Sequence, residues 1–427
     1  MSDKITNELQ ELLKANVVTE ETAEKIRHYF RQKKEEEQNK ISSVFGILGA
    51  ILVGLGIILV FAHNWDNLSQ ITKTILSFLP LIIGQLLCGY SLLKKPESTP
   101  WRETSSVFLF FAIGASISLI AQVYNIPGDI DSFLLTWMLL GLPLVYLLKS
   151  SIASLLFILG ITYYGSNTNY FTYPKTDSFY YWILLLGIAP HYYKLLKTKA
   201  QSNFTLFHNW FVSLSIVICL GTIANENRNL IYLSYMSLFS IFYFIGQTSF
   251  FDKQKLKNNS FLILGKLGIL YLLLVYSFKW FWDKPIYKTA SLSAIFLSTE
   301  FIVALVLTLL AAVLFYKKNN KTFFKDISIL ELVFVTNILP FINGYDFSIV
   351  ANLLVLLIGI AEIKRGSKLN HLGILNFGLL LITVLVTCRF FDTDLSFILR
   401  GILFITIGLG FFLANYFILK KRNRNEK

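Results

Sequence analysis

The sequence predicts an all-α, polytopic integral membrane protein of about fourteen transmembrane helices, and three observations carry that prediction. Apolar stretches long enough to cross a bilayer alternate with short polar loops. The composition is 54% hydrophobic and only 15% charged, with a mean hydropathy of +0.57, whereas soluble domains carry about a quarter charged residues. Lys and Arg fall almost wholly on every second loop. At about twenty residues per crossing, fourteen spans occupy roughly 280 of the 427 residues, which leaves little chain for a soluble domain.

The N-terminal forty residues are the polar exception. Ile5, Leu9, Leu12 and Leu13 recur at helical spacing and stop at Asn16. Thr19 is a good N-cap, Glu20 and Glu21 suit the positive end of a helix dipole, and Ala23, Ile26, Tyr29 and Phe30 form the apolar face of a second helix. Residues 31–40, nearly all charged or amide-bearing, continue as a stalk. The expected organisation is a cytosolic helical hairpin and stalk over 1–40, a transmembrane domain over 41–420 and a basic cytosolic tail over 421–427. The hairpin either docks a cytosolic partner or lies as an amphipathic clamp on headgroups or on the protein's own loops.

Spans are expected near 42–62, 71–93, 104–124, 132–148, 151–165, 178–193, 205–224, 229–250, 260–280, 295–316, 327–342, 347–363, 369–389 and 397–419. The 151–165 span is short and separated from its predecessor only by Lys149, Ser150 and Ser151. A missed or invented span would scramble the charge alternation. With the N-terminal side as cytoplasmic, thirty Lys and Arg lie on that side and eight on the other, so both termini are expected in the cytoplasm of a bacterial inner-membrane protein.

The net charge of +13 follows from that bias; basic loops beside anionic headgroups account for it without nucleic acid. The first forty residues lack the apolar core of a cleavable signal peptide. Cys88, Cys219 and Cys388 fall within spans and form no CxxC pair, and the five histidines form no HExxH pattern. No metal and no cofactor is expected.

Gly46, Ala50 and Gly54 share one face of the first span, where small residues let another helix approach closely. That span leaves the membrane through Ala62-His63-Asn64-Trp65-Asp66. With the hairpin residues Leu12, Val17-Val18-Thr19-Glu20-Glu21 and Ile26 to Tyr29, these features resemble a bacterial family of polytopic membrane proteins catalogued as domain of unknown function 2157. Leu372-Gly373, Arg389-Phe390-Phe391-Asp392 and Arg400-Gly401 to Gly408 look like that family's last two spans. The resemblance implies a multi-spanning protein with a cytosolic helical start and no assigned activity.

Ionisable groups at membrane depth are costly and are therefore functional candidates. Lys266 and Glu331 lie at similar depth and are expected to pair. On the outer side Glu300, Arg389 and Arg400 are expected to converge on one vestibule. The first and last hairpins each carry an aromatic, an Asp and a base seven or eight residues on, Trp65-Asp66 to Lys73 and Phe391-Asp392 to Arg400, as a parallel repeat lining a substrate path would. Pro80, Pro143, Pro190 and Pro340 lie within spans and kink them. His208, Asn209, Asn337 and Asn376 are expected to hydrogen-bond between helices.

Three functions follow. The first is a transporter or flippase-like permease with a substrate path lined by Glu300, Arg389, Asp392, Arg400, Asp66, Asn64 and Trp65. The second is a non-catalytic scaffold or sensor acting through the hairpin. The third is a membrane-embedded transferase on a lipid-linked substrate with Asp66 or Asp392 as acid or base; no nucleophile and base arrangement marks an enzyme.

Overall fold

The computed structural model describes residues 12–13, 15, 17–64, 68–171, 179–224, 228–252, 258–282, 296, 298–319, 330, 333–334, 346–390, 396–398, 400–402, 404–406, 408–410 and 412. Among them regular structure is helical, with no strand. The helices divide into two compact units, residues 1–215 and 216–427.

In the first unit, α1 (Glu20–Asn64) is one unbroken helix of 45 residues, about 68 Å long, so the second hairpin helix, the charged stalk and the first expected span are continuous. It is followed by α2 (Gln70–Lys94), α3 (Thr99–Val123), α4 (Ile130–Leu147), α5 (Ser151–Ser166, extended by a π-turn over Asn167–Phe171), α6 (Phe179–Thr198) and α7 (Asn203–Leu220). The central helix is α3, packed against α1, α2, α4 and α5 and buried along most of its length.

The polarity of these helices is inverted relative to a water-soluble bundle. In α2 the inward stripe is Ser77, Pro80, Gly84, Cys88 and Ser91, while Ile71, Ile75, Phe78, Ile82 and Leu86 face outward. Ser116 donates to the Ser77 carbonyl at 2.7 Å and Cys88 to the Ser105 carbonyl at 3.3 Å. Soluble proteins rarely expose apolar faces of that extent, whereas lipid tails solvate them. Small inward residues are what bring membrane helices together. The crossing of α1 with α3 follows the same rule: a Cβ on Gly46 would stand 2.7 Å from the Thr104 hydroxyl, and Ala50 packs with Val107, Phe108 and Ala112. What Gly54 packs against lies outside the described part of the structure.

The second unit contains α8 (Arg228–Gly246), α9 (Ser260–Tyr276), α10 (Thr299–Asn319), α11 (Ser348–Lys368) and α12 (Leu372–Phe390). Packing runs in the order α10, α8, α9, α11, α12. Asn259 joins α8 to α9: its amide donates to the Gly246 carbonyl at 2.8 Å, and its carbonyl oxygen caps α9 by accepting from the Leu262 N–H at 3.0 Å. Where α11 meets α12, a Cβ on Gly378 would stand 2.7 Å from the Gly359 carbonyl.

Helices α2 to α10 coincide with the second to tenth expected spans, and α11 and α12 with the twelfth and thirteenth. Most of the eleventh lies outside the described residues. Among the described residues six helices are long and apolar enough to cross a membrane: α2, α3, α4, α7 with its 3₁₀ extension to Ile223, α10 and α12.

Candidate functional site

The polar chemistry of the first unit gathers at one end of α3 to α7. The connection from α4 to α5 is only three residues long, Leu148 to Ser150, and Lys149 turns it in the left-handed region at φ 49°. Ser150 then caps α5. Glu103, buried at the start of the second turn of α3, supplies the acceptors that the start of α5 needs: Oε1 accepts from the Ser151 N–H at 2.9 Å, and Oε2 from the Ile152 N–H at 2.9 Å and the Ser150 hydroxyl at 2.5 Å. Ser106 donates to Ser150 at 2.7 Å. A carboxylate on a helix N-terminus answers both the orphan amides and the dipole.

Beside this clasp lies a pocket of about 350 Å³ whose walls include Arg102, Glu103, Lys149, His191, Lys194 and Lys199. The turn of α6 that bears His191 is shaped by Pro190, which gives the helix ladder no N–H. The Tyr146 hydroxyl donates to the Gly187 carbonyl in that turn.

A buried polar seam continues from here between α5, α6 and α7. His208 Nδ1 lies 2.7 Å from the Phe204 carbonyl, which can only accept, so Nδ1 carries the proton and Nε2 accepts from the Ser154 hydroxyl at 2.9 Å. Tyr192 donates to Asn209 at 2.6 Å. About two turns on, Ser215 lies 2.6 Å from the Thr162 hydroxyl and 2.7 Å from that of Tyr181, and Asn167 donates to Asp131 at 2.6 Å. His208 and Asn209 therefore join helices, the role their position in an apolar span suggests. A second, apolar cavity of about 640 Å³ opens between α2, α3 and α4, lined by Phe78, Leu109, Ile117 and Leu140 among others.

In the second unit, Lys266 on α9 pairs with Glu362 on α11 at 2.7 Å and stands 4.7 Å from the ring centre of Phe377 on α12. Glu331, the partner expected from depth alone, lies outside the described residues. Arg389 donates to the Ser277 hydroxyl at 3.2 Å, with its guanidinium 4.3 Å from the Phe278 ring centre. Asn352 donates to the Ser277 carbonyl at 2.9 Å. The helices α9, α11 and α12 are thus tied at two levels. Glu300 is buried, 2% exposed, in the first turn of α10, and Arg400 is half-buried. Trp65, Asp66 and Asp392 lie outside the described residues, as does the side chain of Asn64, the last residue of α1.

Glu103 and Glu362 were not among the residues picked from sequence. Both sit at the polar end of a span beside a base, Arg102 or Lys364, where a charge reads as an ordinary membrane-edge residue.

The clasp and the α1–α3 crossing fall in the part of the chain that similarity reaches. Residues 10–154 match the family described as predicted membrane protein, domain of unknown function 2157. The match runs through α1 to α4 into the first turn of α5. It thus includes Arg102, Glu103 and Lys149 and stops before His191 and the second unit. No curated protein and no solved structure matches the chain. The matched family is described as a membrane protein, and the several long apolar helices of the fold agree with that.

Proposed function

We propose that the protein is a transporter or flippase-like permease of the bacterial inner membrane, with fourteen spans and both termini cytoplasmic. The observation that carries this reading is the seam of buried hydroxyl, imidazole and amide groups at membrane depth between α5, α6 and α7, from Ser154 and His208 to Thr162, Tyr181 and Ser215. Polar groups in spans are costly and mark solute or proton paths. The Lys266–Glu362 pair adds a charge couple between apolar helices of the second unit. Glu300, Arg389 and Arg400 remain the outer charges assigned to the path. The charge asymmetry of the loops supports the orientation.

The test uses single cysteines at Ser154, Thr162 and Ser215 in a background without Cys88, Cys219 and Cys388, probed with a membrane-impermeant thiol reagent from each side of sealed vesicles. Labelling that reaches Ser154 from one side and Ser215 from the other is expected of a path. If loop controls react and none of the three positions does, the permease reading fails.

A further inference from the structure

We propose that the basic pocket at the α3–α7 end of the first unit is a binding site for a phosphate-bearing anion. The proposal stands on the pocket's geometry whether or not the protein transports. Arg102, Lys149, Lys194 and Lys199 bring four positive charges from three segments to one cavity of about 350 Å³, enough room for a phosphate with a small organic group. Among the described residues the ion pairs are Lys25–Glu21 and Lys266–Glu362, so none of these four bases has a carboxylate within 4 Å. Glu103 also faces the pocket, but the start of α5 occupies both its oxygens, and an incoming anion does not displace it.

Two buried nitrogens complete the site. His191 is 8% exposed, and its Nε2 has no hydrogen-bond partner; the Arg102 Nε is likewise buried without one. Buried polar atoms nearly always find partners. Two open nitrogens in the lining of one cavity, under an excess of positive charge, match the several acceptor oxygens of a phosphate, for which arginine's fork and lysine's point charge are the usual ligands. The pocket lies at the end of the helices that the loop charges assign to the cytoplasm, where free phosphate compounds and phospholipid headgroups both present this chemistry.

The full-length protein in phosphatidylcholine nanodiscs, titrated with inorganic phosphate and followed by tryptophan fluorescence, tests the free-anion source; Trp101 adjoins Arg102. Vesicles of phosphatidylcholine with and without phosphatidylglycerol, followed by native mass spectrometry of retained lipid, test the headgroup source. Binding is expected in one arm. It should weaken on the order of tenfold in Arg102→Gln, the worth of a charge-assisted hydrogen bond, and severalfold in Lys149→Gly. The glycine removes a charge where the left-handed backbone already favours it, so this variant keeps the test open if Arg102→Gln misfolds. No saturable binding in either arm, or binding that survives both substitutions, overturns the proposal.

Discussion

Lys266 and Glu362 face each other at 2.7 Å from positions 96 residues apart, with their side chains 24% and 10% exposed. Removing one partner of a shielded pair strands the other charge and costs several kcal/mol, while replacing both by apolar groups can be neutral. Lys266→Met is therefore expected to destabilise the protein by about 2 kcal/mol, at the low end because of the residual exposure. The double substitution Lys266→Met/Glu362→Met should recover most of that loss in thermal unfolding in detergent. Equal instability of single and double variants would show that the pair contributes through packing.

Glu103 gives a different signature because its partners are backbone amides. Glu103→Gln keeps the shape but turns an amino group toward donors, and should cost about 1–3 kcal/mol. Hydrogen exchange at Ser151 and Ile152 should rise in the variant while α3 stays protected. Unchanged exchange there would remove Glu103 from the role of helix clasp.

Two glycines at helix crossings separate tolerant from intolerant sites. At Gly46 the obstacle to a Cβ is the end of the Thr104 side chain, which can rotate; at Gly378 it is the Gly359 carbonyl and the Ile363 backbone nitrogen. Gly46→Ala should leave the unfolding temperature nearly unchanged. Gly378→Ala should lower stability by about 1–3 kcal/mol, the usual cost of overpacking.

Asp129 caps α4 outside the membrane by accepting from the Ser132 N–H at 2.7 Å, and that bond holds its carboxyl below the ordinary carboxylate range. A depressed folded pKa means the stabilisation is complete above the unfolded pKa of about 3.9 and is lost as the pH falls through the folded value. Fraying of the α4 start, read by hydrogen exchange, should therefore grow on acidification in the wild-type protein. In Asp129→Asn, whose amide oxygen still caps but does not titrate, that part of the pH dependence should vanish.

The helices were legible because lipid-facing residues are apolar and buried ones apolar or small, so each helix announces itself as a run; even the short α5 is present as a helix, bounded by the Lys149 turn and Ser150. Pairings were not legible. Depth along the chain pointed Lys266 at Glu331, which lies outside the described residues, and gave no sign of Glu362, which α11 brings alongside, because depth says nothing about which helices are neighbours. For the same reason the three-segment pocket was invisible: Arg102, Lys149 and Lys194 read singly as positive-inside loop charges, and only the folded chain, where the Glu103 clasp reaches 47 to 49 residues along the sequence and α6 stands beside it, brings them to one cavity.

The unbroken course of α1 from Glu20 to Asn64 has a mechanical consequence. Gly46 rests on Thr104, the residue directly after Glu103, so the rod that begins at Glu20 touches α3 one peptide from the clasp and two from Arg102. A torque applied at Glu20 meets no break in the helix before Gly46, and there it is passed to the segment of α3 that carries Arg102 and Glu103.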